Sequence, residues 1–441
     1  MLFEDLNIPK PLLKALNDLG FKNPTPIQEK AYPIILSGKD TVAIAQTGTG
    51  KTFAYLLPLL KQLPFSEQKQ ARILIVVPTR ELVVQVVSEA KKLATYMNLR
   101  IGGIYGGANI NVQKQLIFDG LDILISTPGR LMDMILTRTL QVNAIQKLVV
   151  DEVDEMFNLG FRTQVFNIVD VLPKKRQNLL FSATMDEDVE KLINHYFIQP
   201  QYVEIVTRGT PIEKIVQKAY YVPNFYTKVN LLEYFLNTDK EFKKILVFAK
   251  NKKLVDVLFK EMNTLFPDQI SVMHSNKTQP QRFAAIKNFD EGKHRVLIAT
   301  DIIARGLDIP EVSHVINFDT PSEASDYIHR IGRTGRANSI GTAITFITEK
   351  EKENQEKIEG LMNKKIPMFS IPKTVEISEA LIADEKEYKA DKNLKKLSNK
   401  ETPTGAFHEK KAKNKKVNLG GKRRREGERR AEEQYKRKMN R

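Results

Sequence analysis

The sequence predicts an α/β protein made of two tandem domains with parallel sheets and ending in a basic disordered tail. Three observations carry that expectation. Short apolar runs alternate with helix-length segments, the alternation is interrupted once by a charged Gly- and Pro-containing stretch, and the last part of the chain has little apolar residue to pack. At ~150 residues per domain, 441 residues suggest about three units.

In the first series the runs are TVAIA, RILIVV, RIGGIY, DILIS, KLVV, NLLFS and YVEIV. Runs of four to six apolar residues separated by helical segments suit strands buried on both faces. The series defines a first domain over 1–206. Charge, Gly209 and Pro211 break the pattern next, so 207–215 reads as a linker. A second series, KILVF, ISVMH, RVLIA, HVINF and TAITFI, places another domain of the same rhythm over 216–373. From 374 to 441 a basic extension is expected to be disordered, because its composition cannot offset its ordering entropy. Residues 391–441 alone hold 19 Lys and Arg against 7 Asp and Glu. A net +12 of the chain's +16 therefore belongs to the tail, which suits a polyanionic partner.

Several classes fall away. Cysteine is absent, which excludes disulfides, thiolate catalysis and Cys-based zinc sites. The six histidines show no ligand spacing, and no GxSxG elbow occurs. No apolar run approaches the ~18 residues of a membrane span, and the acidic start MLFEDLNIPK does not resemble a signal peptide. A cytoplasmic protein without a membrane partner is expected.

The chemistry begins where TVAIA runs into Ala45, Gln46, Thr47, Gly48, Thr49, Gly50, Lys51 and Thr52. A Gly-rich turn between a strand and a helix aims backbone N–H groups at phosphate oxygens; Lys51 reaches the β and γ phosphates, and Thr52 is a Mg²⁺ ligand. Ala45 stands where the general pattern has Gly. Asp151 and Glu152 end the run KLVV, at the sheet edge where ligands sit. Asp151 is expected to hold Mg²⁺ through water, and Glu152 to orient or deprotonate the attacking water. Ser182 and Thr184 bring two hydroxyls to the same edge. In YIHRIGRTGR, Arg333 and Arg336 share a helical face and are candidate arginine fingers for the γ phosphate.

GFKNPTPIQ, AQTGTGKT, PTREL, the Gly106–Gly107 pair, TPGR, DEVD, SAT, ATDIIARGLD and HRIGRTGR occur in the order found in DEAD-box RNA helicases of superfamily two, and residues 1 to about 370 resemble that family. The resemblance implies two RecA-like domains, ATP as substrate with Mg²⁺, and RNA as partner. It implies that Gln28 reads the adenine edge, with Phe21 and the upstream Phe3 as base-side aromatics and Asp308 at the ribose. By motif match, RNA contacts fall to Arg80, Gly107, Thr127 and Arg130 in the first domain and to His274, Gln279, Arg282, Thr300 and Arg305 in the second. Asp154, Ser182 and Thr184 are the implied coupling residues. Three positions depart from the family pattern: Val153 in the acidic motif, Ser275 after His274, and Ile303 before Ala304.

The expected function is an RNA-stimulated ATPase that separates short RNA duplexes or remodels RNA–protein complexes locally and without sequence preference, as a monomer acting on single-stranded and short duplex RNA. Ribosomal RNA and ribonucleoprotein are candidate targets. The rivals are a DNA translocase on the same chassis, and an ATP-gated RNA clamp or annealing chaperone. Comparing ATPase stimulation by RNA and DNA addresses the first; strand-displacement and annealing assays address the second.

Overall fold

Strands that alternate apolar residues toward two helical layers must lie inside a sheet covered on both faces, and the first series does so. The computed structural model describes residues 1–45, 48–205, 215–238, 241–301, 312–335 and 341–386. Its first sheet contains β1 (Thr41–Ile44), β2 (Ile73–Val76), β3 (Ile101–Ile104), β4 (Ile123–Ser126), β5 (Lys147–Asp151), β6 (Gln177–Ser182) and β7 (Gln201–Glu204). The order is β3-β4-β2-β5-β6-β1-β7, with parallel pairing. Ile73 and Ile75 of β2 face one core, with Leu12, Ile27 and Tyr55; Leu74 and Val76 face the other, with Leu131, Met156 and Leu192. Each such fully buried side chain contributes ~1.5–3 kcal/mol, so the alternation fixes the register of the whole sheet.

The second sheet contains β8 (Ile215–Tyr221), β9 (Ile245–Phe248), β10 (Ile270–Met273), β11 (Val296–Ala299), β12 (His314–Asn317), β13 (Gly341–Ile347) and β14 (Met368–Phe369). Its order, β10-β11-β9-β12-β13-β8-β14, repeats that of the first sheet strand for strand. β8 thus takes the place of β1, and β12 that of β5.

Two departures from the sequence reading concern boundaries. Ile215, the last residue of the expected linker, starts β8; the rest of that linker lies outside the described residues. β8 escapes the apolar-run criterion because Gln217 and Lys218 interrupt it and Val216 remains 45% exposed, beside a neighbour only two residues long. The extension expected to be disordered from 374 is instead packed as far as Leu381, within a compact unit Met1–Leu381. Val375 is buried, Ser378 N donates to Thr227 Oγ1 (3.0 Å), and Asn230 Nδ2 donates to the Glu376 carbonyl (2.9 Å). Side chains of the helix Phe225–Thr238 thus satisfy a backbone that has no strand partner. Residues 387–441 lie outside the described part.

On that same helix Lys228 is buried, its ammonium paired with Asp319 after β12 (3.0 Å) and Glu351 after β13 (3.1 Å). Among the described residues, no helix is long and apolar enough to cross a membrane.

Candidate active site

The loops after β1, β2, β3, β4, β5 and β6 all leave the C-terminal edge of the first sheet, the edge at which open α/β sheets bind ligands. After β1, Gly48 and Gly50 take φ of 79° and 88°, and Lys51 opens the helix Lys51–Lys61. Gly50 is required twice over: its φ is left-handed, and an added Cβ would meet Gln28 Nε2 at 2.6 Å. Lys51 is only 6% exposed, and its Nζ has no hydrogen-bond partner among the described residues. Burying an ammonium this way is costly unless an anion completes its surroundings. Gln46 and Thr47 lie outside the described residues; Ala45 N donates to the Ser182 carbonyl (3.0 Å), tying the loop's first residue to β6.

Gln28 lies against this loop. Its Nε2 donates to the Gly50 carbonyl (3.1 Å) and its Oε1 accepts from Thr25 N (2.9 Å), closing the capping box of the helix Pro26–Leu36. One amide proton and one lone pair remain for a base edge. Phe21 is 46% exposed and stands edge-on to Phe53, with ring centroids 5.2 Å apart. Phe3 differs from the expectation: at 2% exposure it sits in the core, where it anchors the segment through Phe3 N and the Lys22 carbonyl (3.2 Å) and presents no open face to a base.

At the end of β5, Asp151 accepts from Glu152 N at Oδ1 (2.9 Å) and from Tyr55 Oη at Oδ2 (3.1 Å). Glu152 adopts φ 52°, ψ 49°, a left-handed conformation that is uncommon for a non-glycine residue and recurs at functional sites. Burial pushes its carboxyl up to about 7; Lys51 and Arg333 pull it down, while Asp151 and Glu155 push it further up. Burial also raises Asp151, against the pull of Lys51. Arg333 comes from the second domain, so charge from both domains acts on this carboxylate.

Asp154 Oδ2 accepts from Ala183 N (3.1 Å), Thr184 N (2.9 Å) and Thr184 Oγ1 (3.0 Å), so the acidic turn and the hydroxyl turn after β6 form one unit. Ser182 Oγ is fully buried and has no hydrogen-bond partner among the described residues. Thr52 opens the helix beside Lys51, and burial raises the carboxyl of the nearby Glu89. Val153, the departure within the acidic motif, is fully buried with Met156 and Val165, where the core accommodates its two methyl groups. Ser275 is exposed and carries no packing demand, and Ile303 lies outside the described residues.

In the second domain Arg330 is committed to structure. It pairs with both oxygens of Asp301 and donates to Asn317 Oδ1 (3.2 Å) and the Asp319 carbonyl (2.7 Å). Its helix, Ala324–Ile331, also sets His329 Nδ1 against Glu155 Oε1 of the first domain. Arg336, Asp308 and Arg305 lie outside the described residues.

The residues assigned to RNA make a second interdomain contact. Arg80, at the start of the helix Arg80–Leu93, packs over Gly107, where an added Cβ would meet its guanidinium at 2.0 Å. Arg80 Nη1 donates to Gln279 Oε1 (3.4 Å), Gln279 Nε2 to Glu81 Oε1 (2.9 Å), and Arg282 Nη2 pairs with the same Glu81 oxygen (2.7 Å). Arg130 Nη1 donates to Gln113 Oε1 (2.8 Å), and Thr127 occupies the N-cap position of the helix Pro128–Leu136 that carries it, without a side-chain capping bond. His274 is held by Asp256 (2.9 Å), and Thr300 N donates to the Met273 carbonyl (3.4 Å). The sequence reading missed Tyr55, Glu81, Glu89 and Glu155. Tyr55 alone had a local signal, standing one helical turn after Lys51.

Comparison with known proteins agrees with this layout. Residues 25–192 match the family model of the DEAD/DEAH box helicase, and residues 227–338 that of the helicase conserved C-terminal domain. The DEAD-box ATP-dependent RNA helicase CshA of Bacillus subtilis is 38% identical over 371 residues, covering 84% of this chain and 74% of the relative. The ATP-dependent RNA helicase CshA of Listeria monocytogenes is 36% identical over 377 residues, covering 84% and 70%. Among solved structures, S. cerevisiae Dbp5 bound to RNA and ADP BeF3 superposes with a TM-score of 0.75 at 28% identity, covering 90% of this chain and 99% of that one. Mss116 bound to ssRNA and UDP-BeF gives 0.76 at 29% identity, covering 86% and 81%. With a phosphate loop, an acidic turn and a second-domain arginine gathered on two tandem RecA-like sheets, this chain belongs to the DEAD-box RNA helicase family.

Proposed function

We propose that this protein hydrolyses ATP to open short RNA duplexes, or to displace protein from RNA, locally and without sequence preference. The observation that carries the reading is the buried Lys51 ammonium, without a hydrogen-bond partner among the described residues, beside Asp151 and Glu152 and within the field of Arg333. A triphosphate is the anion that such a loop accommodates.

In this reading Lys51 and the loop amides bind the phosphates, while Gln28 and Phe21 orient the adenine and Asp308 the ribose. Asp151 and the Thr52 hydroxyl are the oxygen donors that fit Mg²⁺, a hard cation that takes few protein ligands beside a nucleotide. When bound, Mg²⁺ neutralises charge on the β and γ phosphates. Glu152, poised near neutrality, takes the proton of the attacking water. Arg333 and Arg336 stabilise charge at the γ phosphate from the second domain, so hydrolysis requires the two domains to be closed. The Asp154–Thr184 contacts link that site to the turn after β6. Arg80, Gly107, Thr127, Arg130, Gln279, Arg282, Thr300 and Arg305 hold the RNA by its sugar-phosphate backbone, the source of sequence independence. A monomer in the cytoplasm, with ribosomal RNA or a ribonucleoprotein as target, completes the proposal.

Replacing Glu152 by Gln removes the base and keeps Asp151 and Lys51. Hydrolysis falls by orders of magnitude while ATP and RNA still bind. Near-normal turnover in that variant would overturn the assignment.

A further inference from the structure

We infer that Tyr55 is a positioning residue for Asp151: its buried phenol bridges the helix that carries the phosphate loop to the carboxylate at the end of β5, and sets that carboxylate for the nucleotide's metal. The inference rests on the reading of Asp151 as a Mg²⁺ ligand.

In the first sheet β6 lies between β1 and β5, so the phosphate loop and Asp151 leave strands that do not pair. The helix Lys51–Lys61 crosses that gap. Tyr55 follows Lys51 by one turn, so the rigid element that presents Lys51 and Thr52 also presents the phenol. Its ring packs against Phe181, with centroids 5.1 Å apart at 61°, and Phe181 lies on β6 in register with Asp151. The side chain is fully buried and held from both sides, which fixes where its hydroxyl points.

That hydroxyl donates to Asp151 Oδ2 at 3.1 Å, while Glu152 N occupies Oδ1 at 2.9 Å. One donor on each oxygen fixes the plane of the carboxylate and leaves each oxygen a further lone pair. Both donors also favour the ionised form, against a burial that disfavours it. Burial and the neighbouring Asp151 hold the phenol well above its usual range, so it stays a donor. Partners that orient a ligand in this way change metal affinity by ~10–100-fold when removed.

The experiment uses the full-length chain with Tyr55→Phe, which keeps the ring against Phe181 and deletes the donor. Binding of a fluorescent ATP analogue is followed first in EDTA and then across a Mg²⁺ titration, alongside thermal melting. The expected result is a half-saturating Mg²⁺ concentration raised about 10-fold, with metal-free nucleotide affinity unchanged and the melting temperature lowered only by the one buried hydrogen bond. In an Asp151→Ala background, removing the hydroxyl should produce no further shift. An unchanged Mg²⁺ midpoint, an additive shift in that background, or a matching loss of metal-free affinity would each reduce Tyr55 to a packing residue. If the wild-type chain itself shows no Mg²⁺ dependence, the assignment of Asp151 fails and the proposal falls with it, a result separable from the others.

Discussion

Glu152→Gln has a second consequence, in the ligand-free protein, where the buried carboxyl is a liability. The folded state raises its pKa from 4.5 to about 7, chiefly through burial. A carboxyl with a raised pKa binds more protons folded than unfolded, so stability falls as pH climbs from about 4.5 to 7 and then levels off. At 1.36 kcal/mol per unit, the penalty at pH 8 is roughly 3 kcal/mol at most. Glutamine never ionises, so the variant lacks that loss. Calorimetry in EDTA without nucleotide, on both proteins between pH 5 and 8, isolates the effect, because most other titrations cancel in the difference. Asp151 is the exception, and it shifts in the same direction. The variant's melting temperature should exceed the wild type's by about 6 °C at pH 8, taking ~2 °C per kcal/mol for a domain of this size, and the gap should close toward pH 5. A difference that does not vary with pH would refute the argument that Glu152 is held in a desolvated pocket.

Gln28→Ala should raise the ATP concentration needed for hydrolysis and weaken discrimination against GTP, since the amide on the Gly50 carbonyl is lost; unchanged selectivity would show that the base is read elsewhere. Arg282→Ala leaves the buried Glu81 carboxylate with Gln279 as its remaining described partner, at a cost of ~3–5 kcal/mol to the closed arrangement. The RNA concentration for half-maximal ATPase should rise, and an unaltered RNA titration refutes the interdomain role. Deleting 391–441 should leave the maximal RNA-stimulated rate intact but, if about five bases touch phosphate at once, remove ~3.5 from the log–log salt slope of single-strand binding. Equal slopes for the two lengths would make the tail a solubility element.

Local chemistry explains what the sequence disclosed. Strands buried on both faces announce themselves as uninterrupted apolar runs, and every run in both series became a strand. The strand β8 gave no such run, because Gln217 and Lys218 sit among its apolar residues near the sheet edge. The phosphate loop and Asp151–Glu152 were legible because each compresses its chemistry into adjacent residues. Tyr55 meets Asp151 across 96 positions, and Glu81 meets Arg282 across two domains; no local pattern foretells such pairs. Spacing alone also could not separate Arg330, bound internally by Asp301, from Arg333, whose field reaches Glu152.

The strand-for-strand repeat places two lysines in comparable positions, Lys51 after β1 and Lys228 after β8. Lys228 finds its counter-charge within the chain, in Asp319 and Glu351, whereas no described side chain hydrogen-bonds the Lys51 ammonium. The same architecture has thus been used once as a keystone and once as a socket. Neutralising Lys228 strands two buried carboxylates and attacks the fold. Neutralising Lys51 disarms the enzyme, removing the charge that holds Asp151 and Glu152 toward their ionised forms. The fold thus answers one lysine with its own carboxylates and leaves the other to be answered by the phosphates that arrive.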